Sequence, residues 1–185
     1  TACLAYKLGC EYVLDAQSAS SNDRILRRTL SYLEDNTNAF VIVGWTTWER
    51  EEVWYNDRYY QLTASGTDSV PAELEQEYKD WVAEQTNDTL RVKQEYWHNK
   101  IYNFHIDLQQ KQIQHLFFNS MHAFDSKWVD VKDWQGCYVD PYNQDWTFTT
   151  WAKNNGHLPC SDISNHFQAS AHKAWSQILL TKIEK

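Results

Sequence analysis

Apolar and polar residues follow one another along this chain in blocks that switch between a helical and an extended rhythm. Ala2-Cys-Leu-Ala-Tyr-Lys-Leu8 reads as the last turns of a helix, with Gly9 where a left-handed C-cap falls. Cys10 to Ala16, centred on Tyr12, Val13 and Leu14, reads as a strand. Ser18-Ala-Ser-Ser-Asn22 is a polar loop, and Ser20 with Asp23 has the spacing of a capping box. The helix it opens carries Ile25, Leu26, Thr29, Leu30 and Leu33 on one face and ends at Asp35-Asn-Thr-Asn38. Ala39-Phe-Val-Ile-Val43 is a continuous apolar run, as expected of a strand buried on both faces. This alternation predicts parallel strands joined by helical crossovers.

Trp45 to Ser69 is an aromatic and polar excursion, too long for a simple turn. Pro71 opens a helix with Leu74, Tyr78, Trp81 and Val82 on one stripe. A second helix follows Asn87-Asp-Thr89, with Val92, Tyr96, Ile101, Phe104 and Leu108 in phase. Gln112 to Phe118 is a third strand. Met121 to Pro159 shows little periodicity but many Trp, Tyr, Asp and Asn. Phe167 to Ile183 is a terminal helix with Phe167, Ala171, Trp175, Ile178 and Leu179 inward.

The 185 residues suffice for one domain with a sizeable core, spanning 1–185. Ten Trp, eleven Tyr and seven Phe exceed what such a core needs, so some rings are expected to line a groove or partner surface. A net charge of -8 without a basic tract argues against nucleic acid as partner. Arg24, Arg27 and Arg28 lie together beside Asp23 and read as a solvated helix face. No apolar run approaches a membrane span and no signal peptide is visible, which points to a cytoplasmic protein and away from a membrane. Cys3, Cys10, Cys137 and Cys160 form no C-x-x-C pair and read as reduced thiols. His157, Cys160, His166 and His172 match no familiar zinc spacing.

Ligands of open parallel sheets bind at the carboxyl ends of the strands. Those ends carry Ser18 to Asn22, then Gly44 to Arg50, then Asn119 to His122. The loop with Asp162 and His166 leads into the last helix and can reach the same edge. An acid beside a loop imidazole fixes its tautomer and stabilises the imidazolium, so the pair can shuttle a proton. His172, inside the helix, reads as structural. Ser18, Ser20 and Ser21 precede a helix and read as caps rather than nucleophiles. Trp45 and Trp48 could stack on a sugar ring, with Arg50 holding a carboxylate or pairing with a neighbouring glutamate; Asn22 points into the site or begins the helix.

Three segments, "SASSNDRI" after a strand, "VIVGWTTWER" ending the next, and "HFQASAHKAW" before the final helix, resemble the motifs of the SGNH (GDSL-type) hydrolases. The resemblance is strongest to the SGNH-like proteins of tailed phages and is weakest between about Glu51 and Lys111. It implies a three-layer α/β/α sandwich with a parallel sheet, flavodoxin-like, of strand order 2-1-3-4-5. It implies a serine esterase, with a carbohydrate O-acyl ester as a possible substrate and no metal or cofactor. His166 maps onto the catalytic base and Asp162, one residue too far upstream, onto its acid. Ala19 stands where the family has an oxyanion-hole glycine, and Gly44-Trp45-Thr46 where it has Gly-x-Asn. The nucleophile motif has no counterpart, because Thr1 begins in the helix that would follow its strand. The nucleophile is therefore expected outside this chain, on a strand between residues 11–16 and 39–43. The alternative is a glycan-binding or virion-associated protein that keeps the fold without turnover, using Trp128 to Trp151 as its contact surface.

Overall fold

A computed structural model describes residues 2–64, 70–161 and 166–184. The protein is mixed α/β. Its helices are α1 (Ala2–Leu8), α2 (Asn22–Asp35), α3 (Glu75–Ala83), α4 (Asn87–Gln110), α5 (Phe148–Asn154) and α6 (Ala169–Ile183). Its strands are β1 (Val41–Trp45), β2 (Glu51–Tyr55), β3 (Arg58–Leu62) and β4 (His115–Asn119). β1 and β4 pair in parallel, Val41 opposite His115 and Trp45 opposite Asn119. The stretch around Tyr138 extends this pair, since Phe117 N donates to Cys137 O (2.8 Å) and Val139 N to Phe117 O (2.8 Å).

Side chains alternate across a strand, so each strand feeds two cores. Val41, Val43, Trp45 and Phe117 enter a cluster with Leu26 and Leu33 of α2 and Trp97, Ile101, Phe104 and Leu108 of α4. Leu116, Ile42 and Phe118 enter a second cluster with Leu4 of α1 and Trp175, Leu179 and Leu180 of α6. Helices thus cover both faces of the parallel pair, as the apolar run at 39–43 requires.

Helix starts follow local chemistry. Ser21, not Ser20, caps α2 by accepting from Arg24 N (3.2 Å), while the Ser20 hydroxyl donates to Gln17 O (2.8 Å). Thr86 caps α4 by accepting from Thr89 N (3.2 Å). Gly9 has φ 65°, the left-handed C-cap conformation.

Four expectations are corrected. Residues 10–16 form no strand: Tyr12, Val13 and Leu14 are more than half exposed, and the segment is tied down by Asp15, which pairs with Arg24 (3.0 Å) and Arg28 (2.7 Å). A β-prone run becomes a strand only by pairing, and this segment pairs with no strand among the described residues. The arginines are accordingly not a merely solvated face. Arg27 makes a two-pronged pair with the buried Glu52 (2.8 and 3.0 Å) and lies over the Tyr59 ring. The excursion after Trp45 contains a β2–β3 hairpin, turned by Asn56 and Asp57, both at positive φ. In the stretch from Trp128 to Trp151, Trp134 and Tyr138 are core residues, so it is not one continuous contact surface.

Candidate functional site

Four segments meet at the carboxyl end of the parallel pair. Asn22, 1% exposed, accepts from Thr46 N (2.9 Å) and donates to Thr46 O (3.3 Å). One amide used in both directions fixes the turn after β1 against the start of α2. Ser120 N donates to Trp45 O (2.8 Å), and Thr149 N donates to Ser120 O (2.9 Å), adding the turn after β4 and the start of α5. From α5, the Phe148 ring reaches Phe167 (5.8 Å) and stacks on His172 (4.9 Å). The segment beside His166 is therefore joined to this end of the sheet through α5.

Ala19 has φ 61°, a conformation in which glycine is the default residue. Val41 N and Trp45 O bond towards β4, so the backbone groups of Ile42 and Gly44 point to the opposite edge of β1, which has no strand partner among the described residues. Gly44 also makes room for β4: a Cβ there would lie 2.6 Å from the Phe118 ring. Gly44→Ala is expected to displace that ring and cost about 1–3 kcal/mol, readable as a lower urea midpoint. The Thr46 N–H is occupied by Asn22, which removes it as an oxyanion donor. Its hydroxyl accepts from Arg50 Nη1 (3.0 Å) and keeps its own proton to donate. Arg50 is thus a support for Thr46 in this geometry.

Trp45 is corrected outright as a substrate contact. It is 1% exposed and packs edge-on against Phe104 (6.3 Å) and Phe117 (5.4 Å). Trp48 is half-buried, stacked on Phe124 (5.7 Å) and beside His122 (5.9 Å). His166 is exposed, and its carbonyl accepts from Cys160 N (2.7 Å). Asp162 lies outside the described residues. His172 sits in α6, where burial lowers its pKa.

Trp48 also borders an open groove of ≈ 360 Å³ that begins where β1 and β4 end, with Arg91, Gln94, His122, Trp128 and Gln144 among its lining. Arg91 lies over the Trp128 ring, 4.8 Å from its centroid, and Trp128 is 47% exposed. Arg91 was not legible as a site residue, since it faces out from a helix, whereas Trp128 opens the aromatic stretch expected as a contact surface in the glycan-binding alternative.

Behind the groove runs a buried polar network. The Tyr142 hydroxyl oxygen accepts from Lys132 N (2.8 Å) and Trp134 Nε1 (3.0 Å), so its own proton goes to His98 Nε2 (2.9 Å). Burial lowers the His98 pKa to about 4 and, with help from His115, the His105 pKa to about 4. Burial likewise raises the Cys137 and Tyr138 pKa values. The Tyr138 hydroxyl donates to Asn119 Oδ1 (2.7 Å), whose amide donates to Pro141 O (3.2 Å) and holds the aperiodic loop to β4.

Among the described residues, no helix is long and apolar enough to cross a membrane. Comparison with protein-family models, with curated proteins and with solved structures finds no match.

Proposed function

We propose that this chain is an SGNH-type serine hydrolase domain, a three-layer α/β/α sandwich, that cleaves an ester, with a carbohydrate O-acyl group as the favoured substrate. The observation that carries the reading is the Asn22–Thr46 lock, which joins the loop after residue 18 and the turn after β1 at one end of the parallel pair. The left-handed backbone of Ala19, at the position of a family glycine, supports it independently. So does α1 packing beside α6 on one face while α2 and α4 cover the other.

In this reading a strand outside residues 1–185 pairs with the open edge of β1 at Ile42 and Gly44 and presents a serine at its end. The serine oxygen attacks the ester carbonyl and its proton passes to His166. The Ala19 N–H and the Thr46 hydroxyl stabilise the oxyanion. His166 returns the proton to the leaving alcohol, and water then releases the acid by the same route. The groove flanked by Trp48 and Trp128 holds the sugar, without metal or cofactor in the reaction.

The test is p-nitrophenyl acetate hydrolysis by the full-length protein. His166→Ala should lower kcat by at least about 100-fold with the fold intact. Full activity in that variant would sink the assignment. The Arg91–Trp128 groove also favours a second reading, a glycan-binding protein without turnover, which predicts binding on a glycan array and no hydrolysis by the wild type.

A further inference from the structure

A second cluster of reactive side chains lies at the other end of the parallel pair. His115 opens β4, His105 faces it from α4, and Cys137 comes from the stretch beside β4. One ligand atom from each lies within 4.8 Å of the others, with both histidines buried and the cysteine half-buried. From Asn119, at the site end of β4, back to His115 is four residues, roughly 13 Å. The cluster is therefore separate from the candidate active site.

Its hydrogen bonding is incomplete. His115 Nδ1 faces Ile113 O (2.9 Å), so it carries the ring proton and leaves Nε2 as a lone pair. His105 Nδ1, 2.7 Å away, must then donate to it. That leaves His105 Nε2 as a bare acceptor, buried without a partner among the rings of Tyr102 and Trp134. Two neutral histidines cannot satisfy this arrangement alone.

We propose that His105, His115 and Cys137 form a structural site for a soft divalent cation such as zinc, with water as fourth ligand. A backbone carbonyl holding the Nδ1–H of a ligating histidine is the usual device that aims Nε2 at a metal. Zinc–ligand lengths near 2.0–2.1 Å for nitrogen and 2.3 Å for sulfur put tetrahedral ligand atoms about 3.3–3.6 Å apart, so the side chains shift by about 1 Å or less. On binding, the His105 proton moves from Nδ1 to Nε2, where the bare lone pair becomes an N–H facing aromatic rings. The Cys137 thiol releases one proton to solvent and binds as thiolate. The Asp133 carboxylate adds negative charge near His105. The cation would tie α4 to β4 and to the 137–139 stretch.

Cobalt(II) and zinc(II) titrations of chelator-treated protein test this. One equivalent of cobalt should produce a thiolate-to-metal charge-transfer band that Cys137→Ser abolishes and Cys160→Ser retains. His105→Gln should weaken binding at least about tenfold. In the wild type, zinc should protect Cys137 from alkylation while the exposed Cys3, Cys10 and Cys160 still react; this needs no variant to fold. Unchanged Cys137 reactivity with zinc, or a band lost in Cys160→Ser instead, would overturn the site.

Discussion

Trp45→Ala should destabilise the protein by about 3–5 kcal/mol, a large share of the roughly 5–15 kcal/mol that keeps a domain folded. The ring fills the centre of the larger core, edge-on to Phe104 and Phe117, and is 1% exposed. Its indole N–H is buried without a partner, so Trp45→Phe should cost far less than the alanine change, because the smaller ring removes that orphan donor. Urea denaturation of the three proteins gives the ranking. The experiment also separates two readings of one residue. A Trp45 that stacked on substrate would raise KM when replaced and leave the urea midpoint unmoved.

The second large effect is acid lability of the metal-free protein. His98 and His105 have folded pKa values of about 4 against an ordinary 6.5, so the unfolded chain binds their protons more tightly than the native state does. Stability from keeping them neutral is complete above pH 6.5 and is lost as the pH falls from 6.5 through 4. Between pH 7.5 and 5 each imidazole should remove about 2 kcal/mol, about 4 kcal/mol together. Ordinary carboxyl groups titrate below that interval, so the slope reports the histidines; Asp15, held low by Arg28, loses its contribution only below it. His98→Gln keeps an acceptor near the position of Nε2 for the Tyr142 hydroxyl and should remove about 2 kcal/mol of the loss over that interval, the remainder coming from His105, His115 and His172, whose pKa values burial also lowers. Identical slopes for wild type and variant would refute the assignment.

These two effects arise where reading the chain by apolar periodicity failed. The expected stripe of α4 began at Val92 and Tyr96, yet both are more than half exposed. The buried positions are Gln94, Trp97, His98, Ile101, Phe104, His105 and Leu108. Their spacing is that of a helix face, but three of the seven are polar, and apolar counting passes over them. They are tolerated because partners from distant segments reach them: Asp125 N donates to Gln94 (2.8 Å), Tyr142 to His98, and His115 meets His105. The hairpin at 51–62 did carry a local signal, since Asn-Asp suits a two-residue turn that needs positive φ twice. The aromatic flanks obscured it.

The candidate site divides in the same way. Asn22 and Thr46 stand out as residues just after a capping serine and a buried strand, and their meeting follows from the parallel topology that alternation implies. Arg91 and Trp128 enter the groove only because α4 runs beside the aperiodic loop. The strand expected at 10–16 has β-prone residues, yet the segment joins no sheet among the described residues and leaves Tyr12, Val13 and Leu14 exposed.

By itself the sequence determined what is written over short distances: helix starts at capping hydroxyls, the left-handed Gly9, the buried strand at Val41, and an acidic surface. Each depends on a few neighbouring residues and the period of one element. The tertiary structure decided which aromatic rings are core and which line a groove, which polar groups are buried, and that His105, His115 and Cys137 meet. Those outcomes rest on contacts between residues up to several tens of positions apart, and the chain's local rhythm carries no record of them.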